Sequence, residues 1–247
     1  MRESELLGPR MDTDFQNVAS LDELNALMIE CRRCPRLVEW RELVARTKRR
    51  AYRDWEYWGR PVPGFGDPQA RLLVFGLAPA AHGGNRTGRV FTGDSSGNFL
   101  YGALYRAGFA NQPESVQRGD GLELHDVYIA AACHCAPPDN KPTREEMDNC
   151  RPYFQRGLQL LSGLQGLVAL GKIAFDNVLL AYRQMGQAIE PQPRDLRFGH
   201  NLVYELGSGL PWLLSSYHPS QQNTQTGRLT QAMFDAVWQH ARQRLDG

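Results

Sequence analysis

Four short apolar runs, separated by amphipathic segments, constrain this chain more than any other feature. RLLVFGL from Arg71, DVYIAAA from Asp126, GLVALG from Gly166 and PWLLSSY from Pro211 have strand length and are bounded by turn residues. Between them lie SGNFLYGALYRAGF, TREEMDNCRPYFQRGLQLL and KIAFDNVLLAYRQMG, each with helical apolar spacing; Thr143 and Glu146 supply a capping box for the second. Strands that alternate with helices pair in parallel and are covered on both faces, because each crossover lays a helix on the sheet. The spacing therefore predicts an α/β fold on a parallel sheet. A last stretch, LTQAMFDAVWQHARQRL, brings Leu229, Met233, Val237 and Ala241 near one face and predicts a closing helix.

Upstream, Ser20 and Glu23 read as a second capping box. Leu21, Leu24, Leu27 and Met28 continue the helical period, so a helix from about Leu21 is expected to deliver Cys31 and Cys34 at its close. RELVARTKRRAYRDWEYWGRPVPGFGD is helix-like at first and irregular from Gly59 through the prolines. The opening MRESELLGPRMDTDFQN is charged and has no apolar segment of signal-peptide type. Residues 1–19 are expected to be a partly ordered arm and residues 20–247 a single domain. No apolar run approaches the roughly 20 residues of a membrane span, so a cytoplasmic protein without membrane contact is expected.

The loop after the first apolar run, GLAPAAHGGNRTGRVFTGDSSG from Gly76 to Gly97, sits where parallel sheets bind ligands, at the carboxyl end of a strand. Gly83 and Gly88 have P-loop spacing, but Arg89 and Val90 replace the Lys and the Mg-binding hydroxyl. No G-x-G-x-x-G occurs in the loop. Nucleoside triphosphate hydrolysis and a dinucleotide fold are both disfavoured.

Lys+Arg 28 against Asp+Glu 27 leaves a net charge of +1, so contact with nucleic acid requires a local patch. The densest one combines Arg46, Lys48, Arg49, Arg50 and Arg53 with Tyr52, Trp55, Tyr57 and Trp58. The five cysteines are an odd number, as thiols serving a metal or catalysis in a reducing compartment would be. Cys31 and Cys34 form C-x-x-C followed by Pro35, Cys133 and Cys135 form C-x-C, and Cys150 falls within a helical segment. Four thiolates from separated segments suit either Zn²⁺ or an iron–sulfur cluster; the missing second C-x-x-C and the Cys-Pro pair lean towards the latter.

Taken in order, CRRCP, GLAPAAHGGNRTGRVFTGDSSGNFL, CHCAPPDNKPTREEMDNCRPYF and SSYHPSQQNTQTGRLT resemble the iron–sulfur uracil-DNA glycosylases, the type-5 branch most closely. The resemblance covers about Cys31 to Thr230. It implies the three-layer α/β/α sandwich of that superfamily around a central four-stranded, mainly parallel sheet. It also implies a [4Fe-4S] cluster on Cys31, Cys34, Cys135 and Cys150, with Cys133 left over as a packed strand residue.

The same resemblance implies a monomeric enzyme that flips a damaged nucleotide out of double-stranded DNA and hydrolyses its glycosidic bond. Phe91 would stack on the base, and His218 would donate to its oxygen and stabilise the leaving anion. Most superfamily members carry Asp, Glu or Asn just after the first strand, where this chain has Ala80 and Ala81. Asp94 and Asn140 are the remaining candidates to orient water or contact the sugar, and His82 is a third. The type-4 base-reading Asn is replaced by Ala131, which implies a permissive pocket that accepts uracil and other deaminated bases such as hypoxanthine. Arg49, Arg50, Arg53, Gln222, Asn223 and Arg228 are the expected DNA contacts. Lys141 is the sole lysine of the proposed site loops, so no Schiff-base step is expected. The alternative is a non-catalytic nucleic-acid-binding module stapled by its metal or cluster.

Overall fold

A computed structural model describes residue 15, residues 17–192 and residues 194–247. The arm expected over residues 1–19 lies mostly outside the described residues. The strands are β1 (Phe65–Gly66), β2 (Leu72–Gly76), β3 (Val127–Ala131), β4 (Gly166–Leu170), β5 (Leu202–Tyr204) and β6 (Trp212–Ser216), in the order β1-β3-β2-β4-β6-β5. The four apolar runs are the four parallel central strands. The sheet has six strands rather than four, because β1 and β5 add antiparallel edges. At two and three residues, these edges are too short to show alternation in the sequence.

The helices are α1 (Leu21–Ile29), α2 (Pro35–Thr47), α3 (Gly84–Thr87), α4 (Ser95–Arg106), α5 (Arg144–Leu160), α6 (Lys172–Gln184), α7 (Gln221–Gln225) and α8 (Gln231–Asp246). The central strands are buried on both faces, and successive side chains enter different layers. Leu73, Phe75, Tyr128, Ala130, Leu167 and Leu213 pack with α1, α5 and α6. Leu72, Val74, Ile129, Val168, Leu170 and Leu214 pack with α4 and α8. The result is the expected three-layer sandwich. α8 buries Phe234, Val237, Trp238, Ala241 and Leu245, so its stripe is centred on the aromatics, and Met233 only flanks it.

Two expectations for the N-terminal half change. Cys31 and Cys34 do not close one helix: α1 ends at Ile29, Pro35 takes the first turn of α2, and Cys34 is the N-cap. Both cysteines thus sit in the link between two helices. The helix-like basic segment also ends early, at Thr47, where Lys48 turns to φ 52 and is followed by a short 3-10 turn over Arg50–Tyr52. Between Val44 and Tyr57 no apolar side chain is buried, so a continued helix would have no face to cover. At Thr143 the expected capping box is complete, whereas the Glu23 carboxylate accepts from Ala19 N rather than from its cap residue Ser20. Among the described residues, no helix is long and apolar enough to cross a membrane.

Candidate active site

Parallel pairing delivers the ends of β2, β3, β4 and β6 to one edge of the sheet, and the loops singled out in the sequence meet there. Phe91, half-buried at φ 49, lays its ring over the end of β2. A Cβ on Gly76 would lie 2.7 Å from Phe91 Cζ, so this position excludes a side chain. The same ring lies 5.8 Å from that of His218, at 33° between planes. His218 follows β6, and its carbonyl accepts from Asn223 Nδ2 at 2.8 Å. Burial pushes its pKa down to about 4, so the imidazole is neutral at pH 7. No hydrogen bond within the described residues occupies the ring nitrogens.

Asp94 caps α4, accepting from Gly97 N at 2.9 Å through Oδ1. Its Oδ2 faces the loop after β2 so closely that a Cβ on Gly83 would lie 2.2 Å away. The carboxylate missing at Ala80 and Ala81 is thus supplied to the same stretch by Asp94, near the loop's end. Burial raises the Asp94 pKa against the pull of the α4 amides and Arg86. On the far side of Gly83, His82 Nδ1 is 3.1 Å from the Tyr57 hydroxyl; burial, then the charges of Arg49 and Arg86, lower its pKa. The carbonyl of Ala80 accepts from Gly83 N and Asn85 N, which folds the loop back on itself. Ala131 ends β3 in register with Gly76 and is buried, leaving only a methyl group at that place.

The remaining residues are mostly exposed at the rim of these loops. Asn140 is exposed at φ 56 in a 3-10 turn over Pro138–Asn140, and no hydrogen bond joins it to Asp94 or His218. Arg49, Arg50 and Arg53 are exposed, and none pairs with a carboxylate among the described residues. Gln222 is exposed on α7, whereas Asn223 braces His218 from below. The exposed Arg228 stacks on Tyr217, its guanidinium carbon 4.7 Å from the ring centroid.

A family model described as the uracil DNA glycosylase superfamily matches residues 63–242. A type-5 uracil-DNA glycosylase of Mycobacterium tuberculosis is 53% identical over 224 residues, covering 90% of this chain and 81% of the relative. One from Thermus thermophilus is 54% identical over 217 residues, covering 88% and 94%. The chain belongs to the type-5 uracil-DNA glycosylase family. It is more distant from a type-4 uracil-DNA glycosylase of Pyrobaculum aerophilum, at 31% identity over 155 residues and 62% of each chain.

In this type-5 family member the cysteines gather beside the loop after β2. Cys34, Cys133, Cys135 and Cys150 form one buried cluster with Leu37, against which Ala78 packs; Cys31 lies within charge range of Cys34 and Cys135. Cys133 lies just past β3 rather than in a strand: its N–H donates to Leu77 O and its thiol to Cys135 O at 3.5 Å. Among the described residues, no three Cys, His, Asp or Glu side chains converge in the geometry of a metal site. Burial pushes the Cys34 thiol up to about 11 and Cys135 up to about 12. One neighbour resists this. Arg41, 2% exposed, donates from Nη1 to Cys135 Sγ at 2.8 Å and from Nη2 to Cys31 O at 3.2 Å, while its Nε has no partner. No carboxylate forms an ion pair with it among the described residues: Glu42 lies only within charge range, and the side-chain acceptor it meets directly is sulfur. A buried cation against sulfur suits a centre of thiolates with net negative charge.

Sequence reasoning missed Arg41, Arg86 and Tyr57 as parts of this site. Arg86 lies unremarked between Gly83 and Gly88, and Arg41 in an ordinary helix. Nothing local marks either arginine as buried.

Proposed function

We propose that this glycosylase extrudes uracil from double-stranded DNA and hydrolyses its N-glycosidic bond, leaving an abasic site. The observation that carries this reading is the Phe91–His218 pair at the strand ends of a chain in the type-5 family. Phe91 offers a face for the extruded base. The C1′–N1 bond breaks with its electron pair passing to N1 and on to the uracil oxygens, leaving an oxocarbenium-like sugar. His218, neutral at pH 7, donates an N–H to the oxygen on which that charge develops. Water then adds to C1′ and gives up a proton. Asp94 is the carboxylate placed to accept it, and its raised pKa makes it a stronger base than an exposed aspartate. Asn140, exposed in the turn after β3, would orient water beside it or contact the sugar.

Arg49, Arg50, Arg53 and Arg228 would meet phosphates, being exposed cations without carboxylate partners. Gln222 would enter the duplex from α7. With only the Ala131 methyl at the base-reading place, hypoxanthine and other deaminated bases would also be accepted. We further propose that it acts as a monomer.

Cys31, Cys34, Cys135 and Cys150 would hold a [4Fe-4S] cluster, with Arg41 offsetting its charge. When bound, the cluster supplies thiolate–iron bonds that tie the α1–α2 link to α5 and to the loop after β3.

The deciding experiment is base release from duplexes containing uracil, hypoxanthine or ethenocytosine, for wild type and His218→Ala. Release of uracil by wild type and its loss in the variant support the reading; no release by wild type rejects it in favour of a binding module. Strict confinement to uracil would remove the permissive pocket. Broad visible absorption with bound iron supports the cluster, and a colourless protein with stoichiometric zinc rejects it.

A further inference from the structure

Arg86 takes no part in the chemistry above, yet only 4% of its surface is exposed and it is bonded to His82 and to the residue before Asp94. Its Nε donates to His82 O at 2.8 Å and its Nη2 to Gly93 O at 2.9 Å. One planar group thus joins the loop after β2 to the residue before Asp94. The approach depends on Gly93, which sits at φ 77 and whose Cβ, if present, would lie 2.3 Å from Nη2. Nη1 is buried without a partner, and no carboxylate offsets the charge among the described ion pairs.

The face of the same guanidinium is engaged elsewhere. Its carbon lies 4.0 Å from the Tyr52 ring centroid and 4.1 Å from that of Trp55, two rings that meet at 80°. These rings belong to the turn that carries the exposed Arg50 and Arg53. A buried cation without an ion pair is costly, and here two carbonyls, two ring faces and the Asp94 carboxylate within charge range offset the cost. Lysine could not substitute. It has no flat face and presents a single point charge where two donors must diverge.

We propose that Arg86 is a positioning residue for base excision, through which seating of the Arg49–Trp55 turn on DNA sets the relative placement of His82 and Asp94. The proposal rests on the glycosylase reading above. Its test is single-turnover excision of uracil at saturating enzyme, with duplex affinity measured by anisotropy and folding by thermal unfolding, for Arg86→Lys, Trp55→Leu and the double variant.

Arg86→Lys should lower the saturated rate by about 100-fold, the effect of a misplacement near 1 Å, while affinity for uracil-free duplex stays within about threefold. Trp55→Leu should lower the same rate, and the double variant should be no slower than Arg86→Lys alone, because both act through one contact. A wild-type saturated rate in Arg86→Lys, or losses that simply multiply, would overturn the proposal. Should Arg86→Lys fail to fold, Trp55→Leu decides: a reduced saturated rate supports it and an unchanged one rejects it. If wild type released no uracil at all, the glycosylase reading would fail first, and visibly so.

Discussion

Arg41 and Cys135 meet inside the protein, Nη1 donating to Sγ at 2.8 Å, and no carboxylate forms an ion pair with this guanidinium among the described residues. With the proposed cluster bound, replacing the guanidinium by an apolar chain would leave the Cys135 thiolate without that cation. Arg41→Met should therefore retain less iron than wild type after dialysis against a chelator, with weaker visible absorption per protein. Equal iron content and equal loss kinetics would show that Arg41 is not part of the centre. The carbonyl of Arg41 also accepts from Asn85 Nδ2 at 3.1 Å, next to Arg86, so loss of the proposed cluster should disturb the loop after β2 as well.

Asp94 has two functions that substitution can separate. As N-cap of α4 it is replaceable by serine, whereas alanine should cost about 1 kcal/mol of stability. Both variants should lose excision if the carboxylate accepts the proton. The folded-state pKa of Asp94 is raised. Its contribution to stability is therefore full below the ordinary carboxylate value and is lost as pH rises through the higher folded value. Urea unfolding should thus find Asp94→Ser gaining on wild type as pH rises from that range to neutrality. A serine variant that loses ground over the same interval would contradict the raised pKa. Gly83→Ala should reproduce the loss of excision, since its Cβ would meet Oδ2.

The parallel core was legible in the sequence because its strands are buried on both faces and read as continuous apolar runs. β1 and β5 were not, since two or three residues carry no period. Phe91, Asp94 and His218 could be named from their loops, and Thr143 from its cap. The buried arginines could not: Arg41 is fixed by a sulfur atom 94 residues away, and Arg86 by the rings of Tyr52 and Trp55 more than 30 residues upstream. Charge in a sequence says solvent by default, and only tertiary partners reverse it. The basic turn was mistaken for more helix for a related reason: its local propensity is helical, but no packing surface is available to it.

His218 supplies a pH prediction. Its folded pKa is lowered to about 4, so its contribution to stability is present above the ordinary histidine value and is lost as pH falls through about 4. His134, also lowered to about 4 by burial, loses stability over the same window, so the comparison must be differential. The stability difference between wild type and His218→Gln should shift against wild type as pH falls across that window. At pH 7, His218→Ala should lower the saturated excision rate by about 100- to 1,000-fold, the usual effect of removing one donor to a developing anion. An acid limb near the ordinary histidine value that disappears in His218→Gln would mean the imidazole is not held neutral.

The basic turn makes the last prediction quantitative. Arg49, Arg50 and Arg53 are exposed and free of carboxylates among the described residues, and Lys48 is directed to the Arg53 carbonyl at 3.2 Å. Each arginine that meets a phosphate releases a counterion, so each should add about 0.9 to the slope of log affinity against log salt. Arg50→Ala should reduce that slope by about this amount and weaken binding alike for uracil-containing and uracil-free duplexes. The triple replacement should reduce it about three times as much, because exposed phosphate contacts act independently. Anisotropy between about 50 and 200 mM salt gives the slopes directly. Unchanged slopes would move the DNA track away from this turn, and with it the mechanical link that Arg86 is proposed to make.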